Sequence, residues 1–296
     1  MGRFMFDLYR PTSLDDAVKF LASNYPDAVP IAGGTELLIL IRDGKIKAPK
    51  YLVDLAPLKK QLSYVRVESG YVKIGALTTI WELSNTILHR DIRFAGFRDV
   101  WHKFGTIALR FSATIGGNIA TATDFSDYIV LLLAYDASIK LTGTSGERVV
   151  PLEKLLVDRR RLDLKPGELI VEVLIPEPPV NASSAFEKFD RRRILIAGLA
   201  NSASYLHLKG KKIIEARISL DVVREKRIPG RVKLLEDFLK GRELSEELVE
   251  KVTEELLPGI VEKYTDWWTT AEYRLEMSKV AVKRTLLTVG RRLGVI

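Results

Sequence analysis

The sequence predicts an α+β protein organised as two domains, and three observations predict it. The stretch Pro176-Glu-Pro-Pro-Val-Asn181 breaks the chain, because three prolines in four positions continue neither a helix nor a strand ladder. Before this break short apolar runs alternate with helix signals, and after it three long strand-like runs precede three helical stretches. At 296 residues the chain also exceeds one ordinary small domain.

Taken in order, Thr12-Ser13 followed by Leu14-Asp-Asp16 starts a helix that ends near Asn24, with a hydroxyl cap and acids in the first turn. Val29–Ala32 reads as a strand running into Gly33-Gly34. Leu37–Ile41 is ambiguous between helix and strand, and Tyr51–Leu55 is a strand, so residues 1–55 form a small α/β unit. Leu62–Glu68 and Tyr71–Gly75 alternate around Ser69-Gly70 as a hairpin. Thr78 or Thr79 caps a helix through Trp81–Ser84, and 91–104 is helical. A loop follows from Thr114, then a helix from Asp127 through Leu133, a strand at Ser138–Leu141 and another at Leu169–Ile175. Residues 56–177 are thus a second subdomain. Domain two, 178–296, holds a three-stranded antiparallel sheet (Ala185–Phe189, Ile196–Leu208, Ile213–Val222) and helices over 232–240, 245–256 and 271–293. In the last helix Leu275, Val282, Leu286, Val289 and Leu293 share a face.

Composition narrows the function classes. With 47% hydrophobic and 28% charged residues and no membrane-length apolar run, a soluble protein is expected, and without a secretory leader pattern a cytoplasmic one. Zero cysteines exclude a disulfide, a cysteine nucleophile, a zinc–thiolate site and an iron–sulfur cluster held by this chain. His89, His102 and His207 lack metal-ligand spacing, so no metal site is predicted. A net charge of +8 raises the question of nucleic acid, but the basic clusters (159–161, 209–212, 224–231) are short and interspersed with acids. They read as solvated surface or a protein-docking face. Abundant charge without cysteine also suits heat stability.

The chemistry concentrates in two glycine pairs. Ala32-Gly-Gly-Thr-Glu36 follows a strand, and Thr114-Ile-Gly-Gly-Asn118 opens a run of small polar residues through Thr121, Thr123 and Asp127. Adjacent glycines tolerate positive φ and bare backbone N–H groups, so each loop is a candidate phosphate cradle. Glu36 would repel a phosphate, and its benign role is at a helix N-terminus. Asp127 is placed either to accept from a ribose hydroxyl or to cap the helix that starts there. Phosphate binding here would lack a basic residue and rest on backbone dipoles. Chemistry alone leaves a cofactor cradle and plain structural turns both open.

Read together, these loops resemble those of the FAD-binding medium subunit of the molybdenum hydroxylases, the group of carbon monoxide dehydrogenase, xanthine dehydrogenase and aldehyde oxidoreductase. Leu52-Val-Asp-Leu55, Gly75-Ala-Leu-Thr-Thr79, Pro166-Gly-Glu-Leu-Ile170 and Ala271-Glu-Tyr-Arg274 agree in order and spacing, so the resemblance spans the chain. It implies a PCMH/VAO-type FAD-binding domain of two α/β subdomains over 1–177, followed by an α+β C-terminal domain. It implies that Ala32, Gly33, Gly34, Thr35 and Glu36, with Thr114, Ile115, Gly116, Gly117 and Asn118, wrap the FAD pyrophosphate, helped by Thr123 and Asp127. Phe104, Leu169, Ile170 and Lys188 then fall near the flavin ring.

It further implies partners: a large molybdenum-cofactor subunit and a small subunit with two [2Fe–2S] clusters, in a dimer of heterotrimers that feeds an external acceptor. No catalytic residue is expected in this chain. A free-standing flavin reductase or oxidase and a flavin-free assembly subunit are the alternatives. The chain departs from the family at Thr121, Thr123 and Asp124, where Asn, Ser and Pro are usual, at Ala108-Leu-Arg-Phe111, and at Arg191-Arg-Arg193. Asp124 adds an acid beside the expected pocket.

Overall fold

The structure, a computed structural model, describes residues 6–190, 198–222 and 227–296. Arg191–Arg193, the expected strand start at Ile196, and Arg224 lie outside the described residues. The chain begins with β1 (Asp7–Tyr9), α1 (Leu14–Ser23), β2 (Ala28–Ile31), α2 (Leu37–Arg42) and β3 (Tyr51–Asp54). Ser13 caps α1 by accepting from the Asp16 N–H. β1 and β2 flank β3 in a parallel sheet, whose first strand the sequence reading missed. The ambiguous run at 37–41 is helical.

A short α3 (Lys59–Leu62) leads to β4 (Val65–Glu68) and β5 (Tyr71–Gly75), paired through the turn at Ser69 and Gly70, both with positive φ. α4 (Ile80–Leu83) starts at Thr79 with a reciprocal capping box to Glu82. Then come α5 (Ile87–Arg90), α6 (Ala95–Lys103), α7 (Ile107–Ser112), α8 (Ile115–Thr121) and α9 (Asp127–Ala134). The stretch after Thr114, expected as an open loop, is therefore mostly helix. Glycines are poor helix formers, but Thr114 caps this one, and the N–H groups of Ile115 and Gly116 bond to the carbonyls of Thr78 and Ala76.

β6 (Ser138–Gly143) and β7 (Gly146–Pro151) form a hairpin, followed by α10 (Leu152–Leu155), the small hairpin β8 (Leu156–Asp158) and β9 (Arg161–Leu162), and β10 (Leu169–Pro176). The second sheet has the order β4-β5-β10-β6-β7, with Val173 opposite both Ile74 and Ile139. Beyond the proline break, β11 (Ala182–Phe189), β12 (Ala200–Lys209), β13 (Lys212–Leu220) and the short β14 (Gly230–Arg231) make a four-stranded antiparallel sheet, one strand more than expected. α11 (Lys233–Leu239), α12 (Glu246–Lys251) and the long α13 (Ala271–Arg292) complete the chain. α12 stops at Lys251, where the backbone widens into a π-turn over Val252–Leu256. On α13, Val282, Leu286 and Val289 are buried, whereas Leu275 and Leu293 are half-buried.

α9 is buried along its whole length because it packs on β12 and β13 on one side and on α6, α8 and α10 on the other. Its apolar character all round follows from that position. One hydrophobic core accordingly mixes Val72, Ile139 and Val173 with Phe186, Ala203 and Tyr205 from beyond the proline break. Polar groups cross the same seam: Arg292 grips Asp99 with two nitrogens at 2.8 and 2.6 Å, and Asp99 also accepts from the Phe186 N–H.

His89 sits against this core at the edge of Trp101, with Nε2 buried and unpartnered. Burial, then the nearby charges of His102 and Arg98, push its pKa down from 6.5 to about 4. The fold thus holds His89 neutral while the unfolded chain takes up a proton below 6.5. Stability is expected to fall as pH drops from 6.5 towards 4 and, for this group, to level off below that. Urea midpoints across this range measure it; His89→Gln should flatten that limb, and an unchanged slope would remove His89 as its source.

Candidate functional site

Between the first sheet and the helices of the second subdomain lies a cavity of about 450 Å³, within the range of small-molecule sites. The loop after β2 forms one wall (Ala32, Gly33, Gly34, Thr35, Glu36). The other comes from α7, α8 and the turn beyond it: Leu109, Thr114, Gly117, Asn118, Thr121, Thr123, Phe125 and Ser126. Phe104 and Arg160 close the sides.

The two walls touch through backbone alone. A Cβ on Gly33 would fall 1.9 Å from the carbonyl oxygen of Ser112, so only glycine permits the approach. Gly34 has φ +66, which turns the loop into α2. Among the described residues, no acceptor takes the N–H groups of Gly33, Gly34, Thr35 or Glu36. Four successive unmatched donors beside a cavity make a candidate anion-binding nest.

The second glycine pair is used differently. Gly116 N–H is committed to the Ala76 carbonyl, and a Cβ there would meet Ala76 at 2.7 Å. Gly117 N–H donates to Thr114 Oγ1, and Asn118 N–H to the Thr114 carbonyl. These donors are spent on the fold. The sequence reading of a second N–H cradle is thereby corrected: this pair supplies close packing at Gly116 and an uncluttered cavity face at Gly117. What the second wall offers is side chains, including Asn118, whose Oδ1 is buried without a protein partner.

Six of the expected residues stand off the cavity. Ile115 and Gly116 are buried behind it, and Leu169 belongs to the core beneath the first sheet. Ile170 packs on the central core. Asp127 neither caps its helix nor faces the cavity: it accepts from Lys188 Nζ at 2.8 Å and from Asn201 Nδ2 at 3.0 Å. Burial pushes the Asp127 carboxyl up, and the Lys188 ammonium beside it pulls it back down. Asp124 is likewise buried, held by Arg159 at 3.0 Å and by the Tyr264 hydroxyl at 2.7 Å. It does not burden the cavity with negative charge, because both oxygens are engaged elsewhere.

Arg160 is the residue that the sequence reading missed. It lines the cavity and pairs with Glu36 at 2.9 Å, although 124 positions separate them. The cavity therefore has a cation, contrary to expectation, and Arg159-Arg160 is not a merely solvated cluster. The signal was there in a run of three arginines, but nothing local distinguished which one turned inward. Arg110 buttresses the cavity from behind by donating to the carbonyls of Phe104 and Gly105 and stacking on Trp101.

These features fit FAD. Unmatched N–H donors and an arginine suit phosphate oxygens, an unpartnered Asn118 acceptor suits a hydroxyl or amino group, and Phe104, Leu109 and Leu40 supply an apolar wall.

Comparison with known proteins agrees. Residues 4–178 match the FAD binding domain in molybdopterin dehydrogenase, and residues 184–289 match the CO dehydrogenase flavoprotein C-terminal domain. The carbon monoxide dehydrogenase medium chain of Afipia carboxidovorans is 31% identical over 95% of each chain. The glyceraldehyde dehydrogenase medium chain of Sulfolobus acidocaldarius is 30% identical over 96% of this chain and 98% of that one. Among solved structures, a chain of reconstituted CO dehydrogenase from Oligotropha carboxidovorans superposes with a TM-score of 0.91 at 30% identity, covering 99% of this chain and 100% of the other. With a matched profile over more than half its length and medium-chain relatives along nearly all of it, the chain belongs to the FAD-binding medium subunits of the molybdenum-containing dehydrogenases.

Proposed function

We propose that this chain is the FAD-carrying electron-transfer subunit of a heteromeric molybdenum hydroxylase. It takes electrons from a small [2Fe–2S] partner, which receives them from a large molybdenum-cofactor subunit, and passes them to an external acceptor. The complex is a dimer of heterotrimers. The observation that carries this reading is the row of four unmatched N–H groups at Gly33–Glu36 beside a cavity. The lack of any cysteine supports the division of labour, since iron–sulfur clusters must then reside on another chain. Bound FAD supplies one- and two-electron exchange.

The chain's own residues bind and shield. Gly33–Glu36 N–H groups and Arg160 hold the pyrophosphate, and Asn118, Thr123 and Ser126 offer polar contacts along the second wall. Phe104 and Leu109 exclude water from the apolar side. Asp127, Lys188 and Asn201 form a buried strut behind the cavity, fixing α9 against β11 and β12. The FAD-binding domain is assigned to 1–177 and the C-terminal domain to 178–296.

Two measurements test this. Purified protein titrated with FAD should acquire the visible flavin bands and quench flavin fluorescence at one equivalent; absence of binding would sink the FAD role. The glycines should also separate by mechanism. Gly33→Ala collides with backbone and should cost about 1–3 kcal/mol of stability, as overpacking does. A Cβ on Gly117 would meet only the Thr114 hydroxyl within 4 Å, at 2.9 Å, and Gly117 lines the cavity. Gly117→Val should keep the unfolding free energy within about 1 kcal/mol of wild type while losing flavin. Full flavin content in Gly117→Val would refute the placement of the second wall.

A further inference from the structure

The turn between β8 and β9 is a short hairpin end made of Arg159 and Arg160, with Asp158 and Arg161 paired beside it. Each arginine has a separate attachment. Arg159 is committed to buried Asp124. Arg160 adopts φ +60, and its N–H donates to the carbonyl of Ala122 at 2.7 Å, which bolts the turn to the end of α8. A left-handed conformation is costly for a residue with a Cβ, so it persists only where the surroundings enforce it. Here the enforced backbone delivers the Arg160 side chain to the cavity.

Among the described residues lining the cavity, Arg160 is the one cation and Glu36 the one anion, and they pair with each other. Glu36 also contributes one of the unmatched N–H groups of the nest. Its carboxylate and a bound anion thus compete for the same small region. Both partners of the ion pair are about one-third exposed or more (32% and 41%), and pairs so exposed contribute little to stability. A guanidinium bound to phosphate oxygens forms charge-assisted, often bidentate bonds, which are stronger.

Resting on the FAD reading above, we infer that Arg160 is a further cofactor-binding residue that exchanges partners: Glu36 and the FAD pyrophosphate compete for its guanidinium. Glu36 is the counter-ion that keeps the guanidinium poised at the cavity and competes with the anion for it. The two residues of one ion pair therefore have opposite effects on affinity.

That opposition is the test. FAD affinity is measured by fluorescence quenching on the deflavinated chain for wild type, Arg160→Gln, Glu36→Gln, the double variant and Arg160→Lys, at low and high salt. Urea midpoints monitor folding. Arg160→Gln should weaken FAD about tenfold or more and flatten the salt dependence, and Arg160→Lys should recover part of the loss. Glu36→Gln should tighten FAD a few-fold, roughly, because it removes the competitor, and the double variant should resemble Arg160→Gln. Equal weakening by Arg160→Gln and Glu36→Gln would overturn the inference, since a simple strut loses the same by either end. Binding by Arg160→Gln within about twofold of wild type would overturn it too. Wild type that fails to bind FAD at all would instead reject the underlying reading.

Discussion

The structure depends on one contact: the carbonyl of Ser112 lies where a side chain of Gly33 would begin. This approach brings the loop of the first sheet against the junction of α7 and α8. The junction is itself fixed to the segment that follows β5 of the second sheet. Ile80 N–H bonds to the Ala113 carbonyl, Ile115 N–H to Thr78 and Gly116 N–H to Ala76, and Thr79 bridges Thr114. The donors of the α8 end are thereby consumed in placing the wall. The donors of the Gly33–Glu36 loop are left over, because nothing on the apposed backbone can reach them. Gly33–Glu36 are partly exposed, so water can pair these donors and they are available to a ligand.

Behind the cavity the chain buries charge. Asp127 with Lys188, Asp124 with Arg159, and Asp221 with Lys263 are all nearly inaccessible on the acidic side. Pairs of this kind gain little over apolar packing, but removing one partner leaves an uncompensated buried charge. Two of these acids also make contacts across the proline break: Asp127 and Asp124 precede it, and Lys188, Asn201 and Tyr264, which bond to them, follow it. The turn at Thr123–Ser126 that shapes the second wall is therefore held from the C-terminal half.

Local signals were legible wherever local chemistry decided the outcome. The Ser13 and Thr79 caps and the Ser69-Gly70 turn each have their physical cause within a few residues, and each element they announce is present. α8 was hidden because its helical start is stabilised by the carbonyls of Ala76 and Thr78, nearly 40 positions away, against the poor propensity of two glycines. The Glu36–Arg160 pair and the engagement of Asp124 by Tyr264 were hidden for the same reason: a side chain's partner across the fold leaves no trace in its own neighbourhood. The glycine pairs were found correctly as special positions, but their likeness in sequence suggested a likeness in use that packing does not bear out.

That difference bears on how the cavity selects an anion. A symmetric clamp would surround a pyrophosphate with donors from both loops and bind any compact dianion well. Here the free N–H groups lie on one wall, and the facing wall offers Gly117, Asn118 and hydroxyls, with an apolar flank at Phe104 and Leu109. A bare phosphate finds half a site. An elongated guest that carries its anion at one place and apolar and hydroxylated groups on either side meets every part of the lining. The asymmetry follows from the Gly116 N–H being committed to the Ala76 carbonyl, while the N–H groups of Gly33–Glu36 have no acceptor among the described residues.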